Sequence, residues 1–281
     1  MIELSIPAVL GMVVVGLYNM MDSIFVGQMV GDVQMGAISV SYPLTLINAG
    51  SAAMLGVGSA SVLSRAIGKK DENTIKKIMG NLVAMVLLLS VIYPVVGMVF
   101  PRQLLSLTGA SDNILNYAEK YLRIVFAGSL FVNFFQSANM VIRGEGQLKR
   151  AMTIIASGAI LNIILDPIFI FVFEWGVEGA AWATIIGQFA NFLITIAYLP
   201  RFKNFSMKKA LLRLEGAVVK RLLSLGVSSF INQLAITLII IVMNNSLTKY
   251  GAQSPYGQEI PLAALGIVMK VNQILISVME F

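Results

Sequence analysis

The sequence predicts an all-α fold, a polytopic bundle of membrane-spanning helices, and three observations predict it. Of the 281 residues, 57% are hydrophobic and only 12% are charged, about half the charge that a soluble domain carries. The apolar residues form long continuous blocks, and the mean hydropathy is +0.83. The alternating pattern of a membrane barrel is missing. A soluble enzyme, a disordered tail and a secreted disulfide scaffold are therefore excluded.

Eight segments have the length and apolarity of a membrane-spanning helix, which needs about 20 residues. In chain order they are 4–26, 35–63, 78–100, 119–142, 152–173, 179–199, 223–247 and 261–280. The connections between them hold charged residues and helix breakers, as in Gly144-Glu145-Gly146 and Pro200-Arg201. These breakers set the ends of each predicted span.

The basic residues lie on one side of the predicted bundle. The loops 64–77, 143–151 and 200–222 follow even-numbered spans and hold 15 of the 20 Lys and Arg residues. The positive-inside rule places these loops, and with them the N-terminus, in the cytoplasm. The net charge of +6 therefore indicates topology in the plasma membrane, and no nucleic acid is expected as a partner.

The sequence also predicts one six-helix lobe and the beginning of a second. The span after the polar loop 200–222 opens with Leu223-Ser224-Leu225-Gly226, which echoes Leu4-Ser5-Ile6-Pro7 and suggests a duplicated unit. The expected units are an N-terminal lobe over 1–199, a cytoplasmic linker over 200–222 and the first two helices of a second copy of the unit over 223–281. The chain ends inside an apolar span, at Glu280-Phe281, so we expect an incomplete polypeptide.

Two carboxylates lie inside predicted spans, Asp22 in the first and Asp166 in the fifth. A charged side chain at the centre of a membrane helix costs at least about 2.5–3.5 kcal/mol, so such a residue marks a candidate functional site. Asn19 precedes Asp22 by three residues and Asn162 precedes Asp166 by four. Each amide is therefore expected to share a helix face with its acid.

Further polar side chains could complete a site around these two acids. Gln136 and Asn139 repeat the spacing of three in the fourth span, and Thr184 adds a hydroxyl in the sixth. Carboxylate, amide and hydroxyl oxygens suit a hard cation such as Na⁺, with Asp22 and Asp166 as its charged ligands. Desolvated neighbouring carboxylates would equally bind H⁺. The alternative is that these groups only form interhelical hydrogen bonds.

Two prolines lie within helical spans, Pro7 in the first and Pro167 in the fifth. Each removes a backbone donor and permits a bend, either as a static kink or as part of a helix that switches between straight and bent. The chain has no Cys and no His. Thiol and imidazole chemistry are therefore excluded, and no zinc site is expected.

Motifs along the whole chain match a known family. In order they are Leu17-Tyr18-Asn19-x-x-Asp22-x-Ile24-Phe25-Val26-Gly27, Ser64-Arg65-x-x-Gly68, Ile142-Arg143-Gly144-x-Gly146, Asn162-x-x-Leu165-Asp166-Pro167-x-Phe169-Ile170 and Gly179-Ala180-Ala181-x-Ala183-Thr184. Together they resemble the MATE family, the multidrug and toxic compound extrusion transporters. The resemblance is strongest to the prokaryotic branch whose coupling site lies in the N-terminal lobe.

This resemblance implies twelve helices in two six-helix lobes related by pseudo-twofold symmetry. It also implies export of cationic or amphipathic small molecules in exchange for Na⁺ or H⁺. It implies no organic cofactor, and a protein that is monomeric in the membrane lipid when full length. The residues that match the family's cation and proton site are Asp22, Asp166, Asn162, Asn139 and Thr184, with Gln136 where a related amide stands. The residues expected to line the substrate cavity or to bend a helix are Asn19, Pro7 and Pro167.

Other functions stay open. A lipid-linked precursor flippase of the same superfamily would need a cavity ringed by several Arg residues, and the spans hold almost none. An intramembrane aspartyl protease would need two acids around one water and a Gly-x-Gly-Asp motif, which is absent, so we expect no enzyme. On length alone, the chain could be a non-transporting fragment. The sequence names neither the exported compound nor the coupling ion.

Overall fold

The computed structural model describes residues 31–199 and 214–279, together with Gly16, Met21 and Phe25 of the first predicted span. The described residues form helices and connecting turns and hold no β-strand. The helices in chain order are α1 (Gly31–Lys69), α2 (Glu72–Val99), α3 (Pro101–Leu107), α4 (Asp112–Ala127), α5 (Ser129–Gly144), α6 (Leu148–Pro167), α7 (Gly176–Tyr198), α8 (Gly216–Gly251) and α9 (Glu259–Met279). The predicted all-α class is confirmed.

Five of these helices are long and apolar enough to cross a membrane, and a sixth crossing results when α4 and α5 are counted as one bent span. Large apolar side chains point outward along two of them. Leu88 and Val91 of α2 are 56% and 63% exposed, and Leu238 and Val242 of α8 are 60% and 63% exposed. Such outward apolar surfaces suit contact with lipid or with further helices.

The predicted fourth span, 119–142, is not one straight helix. It is divided between α4 and α5, which meet at Gly128 with a bend of 54°. A Cβ atom at Gly128 would lie 2.8 Å from Cγ1 of Ile185 on α7, so a larger residue here would require the Ile185 side chain or α7 to shift. The pair Gly128-Ser129 is of a type that commonly kinks helices. The short helix α3 was also not predicted, because seven residues give too little periodicity to detect.

Helices α1 and α8 pack closely along most of their length. A Cβ atom at Gly226 would collide with the carbonyl of Met54, and one at Gly58 would collide with the carbonyl of Leu222. Toward the other end of α8, Asn244 Nδ2 donates to the carbonyl oxygen of Ser39 at 3.4 Å. Small residues permit this approach of two backbones, as is common between membrane helices.

Helices α5 and α6 form an antiparallel hairpin around the turn 144–147. Gly146 in this turn has a φ of +80°, a left-handed conformation that glycine adopts without strain. Ser64 Oγ of α1 donates to the carbonyl oxygen of Gly144 at 2.9 Å. The hairpin therefore fixes which residues of α5 and α6 lie at the same height in the bundle.

Candidate polar site between three helices

A cavity of about 110 Å³ lies between α5, α6 and α7. Its polar lining comes from Asn162 of α6 and from Thr184, Gln188 and Asn191 of α7. On α7 these three residues follow one another at spacings of four and three, so they form one stripe along a single face of the helix. The apolar lining includes Phe135, Ile155 and Ala159. The cavity therefore follows the seam between α6 and α7.

Two glycines hold α6 and α7 close together beside this cavity. A Cβ atom at Gly187 would lie 2.9 Å from the carbonyl oxygen of Gly158. A Cβ atom at Gly158 would overlap the side-chain amide of Asn191. The Asn191 amide therefore lies directly over Gly158. Any residue larger than glycine at position 158 would occupy the space that this amide fills.

Several polar atoms that line the cavity lack hydrogen-bond partners among the described residues. They are both amide atoms of Asn162, Oδ1 of Asn191 and Oε1 of Gln188. Asn162 and Asn191 are only 2% and 3% exposed. A buried polar group without a partner costs about 1–3 kcal/mol, and native proteins rarely leave several in one place. The cavity is thus suited to water or to a small polar ligand.

Asp166 lies one turn beyond Asn162 on α6 and is completely buried. The predicted shared face of these two residues is confirmed by the continuous helix Leu148–Pro167. After Pro167 the chain continues as a π-helical turn over Ile168–Val172. Such turns often occur at functional sites, because they re-aim the side chains around them.

The first predicted span approaches this turn through Phe25. Its ring lies 5.7 Å, centroid to centroid, from the ring of Phe171 in an edge-to-face arrangement. Phe25 also packs against the buried cluster that includes Met35, Ile170 and Ala180. The predicted site residues Asp22, Asn19 and Pro7 lie outside the described residues.

Asn139 lies away from the Asn162–Asp166 pair. Its Nδ2 donates to the carbonyl oxygen of Ala151 at 2.9 Å, and its Oδ1 accepts from Nε of Arg143 at 3.1 Å. Ala151 precedes Asn162 by eleven residues on α6, which corresponds to about 16 Å along the helix. We expected Asn139 near the two acids, and the structure instead brings it to the α5–α6 turn.

The remaining predicted residues divide between the cavity and its surroundings. Thr184 is half-buried and lines the cavity with Asn162. Gln136 is half-buried on α5 and is not part of the lining. Gln188 and Asn191 were missed by the sequence analysis, although their spacing from Thr184 could have identified them as members of the same helix face.

Acidic residues alone do not form a metal site in the described part of the chain, where no group of three or more Asp or Glu side chains converges. A cation held beside Asn162 would therefore have amide and hydroxyl oxygens as ligands, with Asp166 supplying negative charge one turn away. Such oxygen ligands suit hard cations.

Comparison with known sequences decides the family. The profile of the MatE family matches residues 7–168, which is more than half of the chain. The chain belongs to the MATE family. The polar cavity, Asn162 and Asp166 thus lie in a MATE fold, as the resemblance of the sequence motifs implied.

Curated MATE relatives include the probable multidrug resistance protein YoeA of Bacillus subtilis (strain 168), which is 27% identical over 95% of this chain and 61% of its own length. The multidrug export protein MepA of Staphylococcus aureus (strain MRSA252) is 28% identical over 92% of this chain and 58% of its own. This MATE chain therefore spans about 60% of the length of these relatives.

Solved structures of MATE transporters share the fold. The MATE multidrug transporter DinF-BH superposes with a TM-score of 0.90 and 33% identity, covering 98% of this chain and 60% of that one. Inward-facing and outward-facing structures of a MATE transporter each match with a TM-score of 0.79. The helical arrangement of this MATE chain is therefore close to that of known transporters.

Proposed function

We propose that this protein is a secondary active transporter that exports cationic or amphipathic small molecules in exchange for Na⁺ or H⁺. Relatives named as multidrug resistance or export proteins support the transport of drugs. The observation that carries the exchange is the buried acid Asp166, one turn from an amide that lines a polar cavity. A buried acid inside an apolar bundle is a natural place to bind and release a cation.

We further propose that Asp22 and Asp166 form one coupling site with Asn162 and Thr184. The contact between Phe25 and Phe171 supports this pairing, since Phe25 follows Asp22 by three residues and Phe171 follows Asp166 by five. Binding of Na⁺ or H⁺ would neutralise the acids and remove their mutual repulsion. The ion then shifts the equilibrium between conformations by as much as its affinities for them differ.

Alternating access would use the division into an N-terminal lobe over 1–199, a linker over 200–222 and the start of a second lobe over 223–281. The close contact between α1 and α8 joins the two proposed lobes. Drug and ion would compete for states of one cavity, so that release of one favours binding of the other. In this proposal Pro7 and Pro167 allow the helices around the site to bend, and Asn19 of the first span lines the substrate cavity.

Transport itself is tested by ethidium efflux from cells that express the protein from its complete gene. We expect lower ethidium accumulation than in cells with the empty vector, because the cation is pumped out. The Na⁺ gradient and the H⁺ gradient are then collapsed in separate experiments. Only loss of the gradient that drives export should restore ethidium accumulation, and this identifies the coupling ion. Unchanged accumulation at a verified level of membrane protein would contradict the proposed export.

Orientation follows from the charge asymmetry, and we propose a plasma-membrane protein with a cytoplasmic N-terminus. The chain has no native Cys, so single cysteines report on topology without further changes. We expect Lys208→Cys in the predicted 200–222 loop to resist an impermeant maleimide added outside intact cells. Gln253→Cys, in the exposed turn between α8 and α9, is the matched control and should react. The reverse pattern of labelling would contradict this topology.

A further inference from the structure

A second cavity, of about 170 Å³, lies at the C-terminal end of α1. Arg65 and Lys69 of α1, Asp71 and Thr74 at the start of α2, and Arg221 of α8 line it. It therefore joins the end of α1 to the beginning of α8, in a part of the molecule remote from the polar cavity between α5, α6 and α7. The charge asymmetry of the sequence explains why basic residues occur on this side, but not why three of them converge on one cavity.

The three cations have no ion-pair partner among the described residues, whereas nearby lysines do. Lys76 pairs with Glu72 at 3.2 Å, and Lys77 pairs with Glu215 at 3.0 Å. No ion pair joins Arg65, Lys69 or Arg221 to a described carboxylate. Three positive charges that line one cavity repel one another, and the single carboxylate beside them, Asp71, offsets only one, so the cavity favours an anion.

The one carboxylate in the cavity, Asp71, already has a structural role. Its Oδ1 accepts from the backbone N–H of Thr74 at 3.1 Å, and its Oδ2 accepts from the Thr74 hydroxyl at 2.6 Å, so it caps the N-terminus of α2. These hydrogen bonds, with a smaller contribution from Arg221, lower the pKa of Asp71 below its ordinary value. Asp71 is thus ionised at physiological pH, and the lining carries an excess of two positive charges.

The position of Arg221 is set by the packing of α8 on α1. Leu222, the next residue, is fully buried, and its carbonyl lies against Gly58 of α1. Because backbone meets backbone here, α8 has little freedom to slide along α1. The backbone at Arg221 is therefore fixed beside α1, and its exposed side chain lines the same cavity as Arg65 and Lys69. The buried residues Val62 and Ala66 add an apolar wall to the cavity.

We propose that this cavity binds a phosphate group, with an anionic phospholipid of the adjacent leaflet as its main source. Guanidinium groups match phosphate oxygens in geometry and charge, and basic pockets between helices at the cytoplasmic surface suit lipid head groups. The volume corresponds to about five or six waters, enough for the five heavy atoms of a phosphate. The apolar wall favours a lipid over a free anion. A bound phosphate would hold the ends of α1 and α8 together.

Binding is tested with the purified protein in detergent, titrated with dioleoyl-phosphatidylglycerol and followed by native mass spectrometry. The cavity variant is Arg65→Gln/Arg221→Gln. The control is Lys149→Gln/Lys220→Gln, which removes the same charge from basic residues outside the cavity lining. We expect the cavity variant to bind the lipid about tenfold more weakly, since two charge-assisted contacts are lost, and the control to bind within about twofold of the wild type.

Two further titrations separate the sources of phosphate. Dioleoyl-phosphatidylcholine, whose choline cancels the phosphate charge, should bind about tenfold more weakly than phosphatidylglycerol. If millimolar inorganic phosphate displaces phosphatidylglycerol, the free anion is also a ligand of the cavity. If inorganic phosphate does not displace it, the site is assigned to lipid alone. If the double variant does not purify, the single variant Arg221→Gln replaces it in the titration. We expect its affinity for phosphatidylglycerol to fall by about threefold.

The inference is overturned if the cavity variant binds phosphatidylglycerol as the wild type does. It is equally overturned if the control pair loses as much affinity as the cavity pair, because the basic surface as a whole would then attract the lipid. Equal binding of the two lipids would have the same consequence. None of these outcomes depends on drug export, so they leave the proposed transport function to its own test.

Discussion

Replacing Asp166 by Asn is expected to abolish drug export and to leave the protein folded in the membrane. The side chain is completely buried, and Asn has nearly the same shape but can neither take up a proton nor hold a cation by charge. Removing a charge from an apolar bundle does not by itself destabilise it, because burial of the charge is costly. Ethidium efflux at matched membrane levels measures the effect.

The control for Asp166→Asn is Asp112→Asn, which makes the same chemical change at an exposed position at the start of α4. It should export at the wild-type rate. Asp22→Asn should abolish export as Asp166→Asn does, whereas Thr184→Ala should only weaken it, because one of several oxygens is lost. Wild-type efflux by Asp166→Asn would mean that coupling lies elsewhere in the protein.

A second large effect is expected where α1 and α8 meet. Gly58→Ala places a methyl group against the carbonyl of Leu222, and neither backbone can move aside without separating the helices. Overpacking of this kind costs about 1–3 kcal/mol, so the melting temperature in detergent should fall by about 3–10 °C. Gly226→Ala should act in the same direction, with the double variant less than additive because both residues lie in one contact.

Gly68→Ala provides the matched control on the same helix. A Cβ atom there meets nothing within 4 Å, and alanine is the better helix former. The melting temperature should therefore stay the same or rise slightly. If Gly58→Ala and Gly68→Ala melted alike, the close approach of α1 and α8 would not contribute to stability. Export by Gly58→Ala, measured in parallel, reports whether this contact forms in the transport cycle.

Hydropathy was sufficient to find most of the helices, because each predicted span from the second onward coincides with helical structure. The exact ends were less well predicted. Helix α8 runs from Gly216 to Gly251, well beyond the predicted 223–247, since polar residues at a membrane surface can continue a helix that apolar content alone does not detect. The break at Gly128 was missed because apolar residues continue on both sides of it, so hydropathy gives no signal there. The close approach of Ile185 to Gly128 is a tertiary contact that the sequence does not reveal.

The candidate site was harder to predict than the helices. The i,i+4 relation of Asn162 and Asp166 is a local property of one helix, so the sequence was enough. The position of Asn139 relative to α6 is not a local property, because it depends on where the chain turns between α5 and α6. Residues 139 and 151 lie at equal distances from Glu145 in the sequence, and they contact each other. The conspicuous turn at Gly144-Glu145-Gly146 could have indicated this.

The close glycine–carbonyl contacts between α1 and α8 also affect whether ions could leak between these two helices. The proposed exchange conserves an ion gradient only if ions cross the protein bound to the site and not through gaps between its helices. Where Gly58 meets the Leu222 carbonyl and Gly226 meets the Met54 carbonyl, the backbones are too close to admit even a water molecule between them. At these two contacts α1 and α8 therefore leave no gap for a hydrated cation, which is larger still.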